Sequence, residues 1–108
     1  MTISGNLFTV LSHDRTREHV TELLHVDDVK IERIVSHGQA SPPGFWYDQD
    51  WAEWVLVLNG SAGLLVEGEA APRHLRQGDY LYIPAHTRHR VEWTAAHEPT
   101  VWLAVHHR

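Results

Sequence analysis

From residue 29 onward the chain alternates short apolar runs with turn residues. "VKIERIVSH" (29–37) sets Val29, Ile31, Arg33 and Val35 against Lys30, Glu32, Ile34 and Ser36, a strand with no wholly apolar face. "QASPPG" (39–44) breaks it, because two consecutive prolines remove two backbone donors. A loop follows to about Trp51. "EWVLVLNG" (53–60) ends in Asn59-Gly60, residues that tolerate positive φ, and "AGLLVEG" (62–68) reads as its hairpin partner. Strands near 73–76, at "YLYIP", at 88–94 and at 100–106 complete the series.

Seven or so short strands without a convincing long helix predict an all-β sandwich or barrel. "REHVTELLHV" (17–26) is open between a short helix, with Val20, Leu23 and Leu24 on one face, and an edge strand. The expected organisation is one domain, with residues 1–28 as an N-terminal extension and 29–106 as the core. A chain of 108 residues suits that size.

Composition narrows the function classes. The net charge of −5, with no basic cluster longer than "RHR" at 88–90, argues against a phosphate-tracking nucleic-acid surface. No apolar run approaches the roughly 20 residues of a membrane helix. The first residues lack a basic stretch followed by an apolar one, so no signal peptide is expected and a cytoplasmic location is the default. With no cysteine, thiolate chemistry is excluded. Ten dispersed histidines invite a metal reading without establishing one.

Glu53-x6-Gly60 followed by Gly78-x5-Pro84-x4-His89 resembles the two motifs of the cupin superfamily, small RmlC-like barrels of the jelly-roll or double-stranded β-helix type. Gly44, Glu53, Gly60, Gly78, Pro84 and His89 fall on matching positions, over about residues 29–106. The resemblance implies a metal held by three His and one Glu. Neither register of the preceding loop supplies the His pair: the tighter spacing places Tyr47 and Gln49 there, the looser one Trp46 and Asp48. His86 stands where the second motif has Gly.

If Glu53 faces a barrel lumen, alternation brings Val55 and Val57 with it, and His89 brings Val91 and Trp93. An apolar pocket with an acid and an imidazole is the usual make-up of a small-molecule site. The candidate catalytic residues are Glu53, His89 and Tyr47. Arg33, Gln49, Trp93 and Trp102 are candidates for substrate binding. One divalent transition metal (Zn, Fe, Mn or Ni) on Glu53, His89, Gln49 and His86 is one expectation. The other is a metal-free site in which His89 or Tyr47 shuttles a proton while Glu53 orients it, an option the resemblance implies. His86, His106 and His107 read as solvent-exposed, and Arg88 and Arg90 as pointing outward. The expected function is a metal-assisted or acid-base enzyme of lyase, isomerase or dioxygenase type on a small polar metabolite; the alternative is a non-catalytic ligand-binding or sensor module. Outward Trp54, Leu56 and Leu58 suggest a homodimer face, and neither nucleic acid nor membrane is an expected partner.

Overall fold

A computed structural model describes residues 2–9, 11 and 13–108. Eight strands run in chain order: β1 His19–Val26, β2 Val29–Ser36, β3 Ala52–Asn59, β4 Ser61–Val66, β5 Arg73–Arg76, β6 Tyr80–Ile83, β7 His89–Thr94 and β8 Thr100–His107. They form a five-stranded sheet in the order β1-β2-β8-β3-β6 and a three-stranded sheet in the order β5-β4-β7, with every pair antiparallel. No helix among the described residues is long and apolar enough to cross a membrane.

Alternation along the strands builds the core between the sheets. Val55 and Val57 of β3, Ala62 and Leu64 of β4, Leu75, Ile83 and Trp102 form one buried cluster, and Ile34, Val66 and Leu81 pack against it. Each large apolar side chain buried in this way contributes about 1.5–3 kcal/mol. Trp54 and Leu56 take the opposite parity, beside Tyr82 and Tyr80 of β6.

Two expectations resolve or change here. Residues 19–26 are the edge strand and not a helix. A tight turn at Asp27-Asp28, with Asp27 at φ 40°, folds β1 back along the whole of β2, so pairing overrides the weak helical face. The hairpin expected across Asn59-Gly60 does not form, since β3 pairs with β6 and β8 while β4 pairs with β5 and β7. Gly60 is instead a corner between the sheets, at φ 85° and pressed against Pro99 and Thr100, where a Cβ would lie 2.6 Å from the Thr100 hydroxyl oxygen. Only glycine combines that backbone with that approach.

Candidate functional site

A cavity of about 190 Å³ opens at one end of the barrel, on the inward face of the larger sheet. Its apolar wall comes from Ile34, Val55, Leu64, Val91 and Trp102, with Val20 of β1 at the rim. Its polar residues are Glu18, Glu32, Tyr47, Gln49, Glu53, His89 and His106.

Strand register assembles the centre. Glu53 opposes His106 of β8, and Ala104, two residues along, opposes Glu32 of β2. Period-two alternation therefore turns Glu53, His106 and Glu32 to the same face. His89, the first residue of β7, meets them from the other sheet. Its Nε2 lies 3.6 Å from Glu53 Oε1, while His106 Nε2 lies 3.5 Å from Glu53 Oε2 and 3.1 Å from Glu32 Oε1. One carboxylate thus sits between two imidazoles, and the second imidazole carries a further carboxylate.

The proton inventory follows from these contacts. His89 Nδ1 faces the Thr87 carbonyl at 2.8 Å and donates to it, so a proton on Nε2, towards Glu53, makes the ring an imidazolium. Burial opposes that cation, yet the Glu53 carboxylate at 3.6 Å and the Thr87 carbonyl outweigh it and hold the His89 pKa above the ordinary imidazole value. Tyr47 lies over His89, ring centroids 5.3 Å apart and 23° from parallel. Burial first, then the charges of Glu18 and Glu53, raise its pKa, so the phenol stays protonated and is a donor.

The structure settles the register of the 46–49 loop. Tyr47 and His89 exchange backbone hydrogen bonds, Tyr47 N donating to His89 O at 2.7 Å and His89 N to Tyr47 O at 3.2 Å. That bridge turns Tyr47 and Gln49 to the cavity. Trp46 lies outside beneath the Arg88 and Arg90 guanidinium groups, at 5.6 and 5.9 Å. Asp48 is exposed and paired with His86 Nδ1 at 2.9 Å. The Gln49 side-chain oxygen is buried without a hydrogen-bond partner among the described residues.

Several candidates lie elsewhere. His86 is an exposed turn residue at φ 59°, which is why a glycine suits that motif position, and it does not reach the cavity. Trp93 points away from the lumen: register slips by one residue at Glu92, and this β-bulge reverses the alternation that Val91 would otherwise pass on. Its indole covers Gly63 instead. Arg33 holds the N-terminal segment, donating to the carbonyls of Leu7 at 3.2 Å and Thr9 at 3.0 Å and to the Thr21 hydroxyl at 3.3 Å. Trp102 does line the cavity, and its Nε1 donates to Ser36 Oγ at 3.2 Å.

His106, Glu32 and Glu18 are the polar cavity residues that sequence reasoning missed. His106 is 7% exposed, although it reads as a fraying terminus. Its signal is parity, because it stands four residues beyond inward-facing Trp102 on the same strand.

Among the described residues no group of three or more His, Cys, Asp or Glu is arranged to hold a metal ion. The expected ligand set is broken up, with His86 outside and the two Glu53 oxygens divided between His89 and His106. The donor set does not fit a cage of three His and one Glu.

A model of the cupin domain family matches residues 32–106. The crystal structure of a "putative mannose-6-phosphate isomerase" from Ralstonia eutropha JMP134 is 56% identical over 98% of both chains, with a TM-score of 0.95. An RmlC-like cupin from Desulfovibrio desulfuricans is 21% identical over 98% of this chain and 97% of its own, TM-score 0.76. One from Methanocaldococcus jannaschii, with a double-stranded β-helix fold, is 17% identical over 90% and 85%, TM-score 0.70. These two show the shared fold alone. A comparison with curated proteins finds none that matches.

Proposed function

The chain belongs to the cupin family, and from that membership and the paired imidazoles on Glu53 we propose that it is an acid-base isomerase acting on a small polyhydroxy carbonyl compound. The observation that carries the reading is the Glu53 carboxylate set between His89 and His106 in a cavity that is otherwise largely apolar. A buried acid held against an imidazole whose pKa is raised is a proton donor and acceptor side by side. The name given to the Ralstonia protein supports the same reaction class.

Isomerisation of a sugar moves one proton between neighbouring carbons and another between their oxygens. Glu53 takes the proton from the carbon beside the carbonyl as that C–H bond breaks and the enediol double bond forms. His89 gives its Nε2 proton to the carbonyl oxygen, and the Tyr47 phenol donates a hydrogen bond to the same oxygen. His89 then recovers a proton from the neighbouring hydroxyl, whose oxygen becomes the new carbonyl. Glu53 returns its own proton to the other carbon, which restores the starting charges. His106, held by Glu32, keeps the Glu53 carboxylate aimed. General acid-base groups placed in this way contribute about 10²–10⁴ in rate.

The test is loss of the C2 proton of free and phosphorylated aldoses in deuterium oxide, followed by NMR on protein dialysed against a chelator. Exchange that survives chelation and falls at least about a hundredfold in Glu53→Gln supports the relay. Exchange abolished by the chelator and restored by one transition metal would refute it, and a sugar that binds without exchange marks a binding module instead.

A further inference from the structure

Resting on the isomerase reading, we infer that the substrate is a free, unphosphorylated sugar: the cavity is built to accept hydrogen bonds and to turn away anions. Its charged lining is acidic. Glu18, Glu32 and Glu53 all face it, and among the described residues His89 and His106 are its only basic groups and no Lys or Arg lines it. Both imidazoles are already committed to carboxylates.

Phosphate sites rely on Arg forks, Lys, helix N-termini or nests of backbone N–H groups. The described elements here are all strands, and the chain has a single lysine. That residue, Lys30, lines a polar vestibule that shares Glu32, Gln49 and His106 with the cavity and also holds Asp50, and its Nζ is 3.8 Å from Glu32. It enters no site free of acids. A phosphate ester brought to either space meets carboxylates, a juxtaposition of like charges that weakens binding.

The neutral polar groups have the same bias. The Gln49 side-chain oxygen is buried with no partner among the described residues, an acceptor that lacks a donor. Glu18 Oε2 accepts the Ser36 hydroxyl at 2.6 Å, and Ser36 in turn accepts the Trp102 indole at 3.2 Å, a chain that fixes the acid at the cavity wall. Carboxylate and amide oxygens ask for hydroxyl donors, which a polyol supplies several at a time. The volume of about 190 Å³ lies below the range of drug-sized sites and suits a single small metabolite.

The experiment is an NMR titration of the full chain with a panel of free pentoses and hexoses, each paired with its terminal phosphate ester, read at the Tyr47, Gln49 and His89 amides. Deuterium exchange at C2 is followed in the same samples. Free sugars are expected to bind at least about tenfold more tightly than their esters, the equivalent of about 1.4 kcal/mol. Glu18→Gln and Glu32→Gln should narrow that gap. An ester that binds as well as its free sugar overturns the inference while leaving the isomerase reading standing. Free sugars that bind without exchange overturn the isomerase reading and leave the selectivity. No binding by any free sugar, or tighter binding of the amino sugar glucosamine than of glucose, overturns the neutral-sugar assignment.

Discussion

Replacing Glu53 with Gln is the perturbation that separates an ion pair from a neutral hydrogen bond at the centre of the site. Glu53 and His89 side chains are 13% and 5% exposed and 3.6 Å apart, so their attraction is weakly screened: about 5 kcal/mol gross at an effective dielectric near 20. Removing one partner of a buried pair costs about 3–5 kcal/mol when the other stays charged. His106 retains Glu32 at 3.1 Å, so much of the loss falls on His89. The cost must depend on pH, and its sign follows from the raised His89 pKa. A cation whose folded pKa lies above its unfolded one adds stability that is complete below about pH 6.5 and fades as the pH rises through the folded value. Glu53→Gln removes that contribution. The difference between wild type and variant should therefore be largest near pH 6 and shrink at alkaline pH towards about 1 kcal/mol, a hydrogen bond's worth. Urea unfolding of both proteins between about pH 5.5 and 9 measures it, and NMR titration of the His89 ring should show its pKa falling in the variant. A stability difference that is flat across this range, or that grows with pH, would mean that the pair is not charged and that the proton inventory is wrong.

Tyr47→Phe removes a phenol that burial keeps protonated but leaves the ring over His89, so kcat should fall by about 10² with little change in unfolding midpoint, measured by isotope exchange and thermal melting. Gly60→Ala forces a Cβ against Thr100 and Pro99 at φ 85°, and should cost on the order of 1–3 kcal/mol in urea unfolding while the surviving folded protein keeps its ligand affinity. Arg33→Ala releases the N-terminal segment and does not touch the cavity, so protease nicking before residue 19 should rise severalfold at unchanged sugar KM; a KM increase matching that of a cavity variant would restore Arg33 to the site.

What was legible in the sequence is what period-two alternation and motif spacing carry. Val55, Val57 and Trp102 fall inside as their parities require, and Glu53 and His89 meet although 36 residues separate them in sequence. Trp93 was not legible, because a bulge at Glu92 shifts the phase and nothing in "RVEWT" announces it. The sheet change at Gly60 was hidden too, since Asn-Gly reads as a hairpin turn unless the approach of Pro99 and Thr100 is known. His106 and Glu32 became visible only with register. Neither belongs to a motif, and their meeting at 3.1 Å depends on β2 and β8 pairing in one alignment out of many.

That dependence on register bears on how the centre works. Slipping β8 by one residue against β3 would turn His106 to the outer face, where Val105 stands, and would leave Glu53 with His89 alone. Two residues at the far end of β8 lie outside the cavity and are shut off from solvent. They are buried Thr100, whose hydroxyl donates to the Ser61 carbonyl at 3.1 Å, and fully buried Val101, opposite Asn59 across the bulge at Leu58. The Gly60 corner packs directly on Thr100, the first residue of the strand that carries His106. A Cβ at Gly60 therefore strains the start of the strand that carries the second imidazole, at the end away from the cavity.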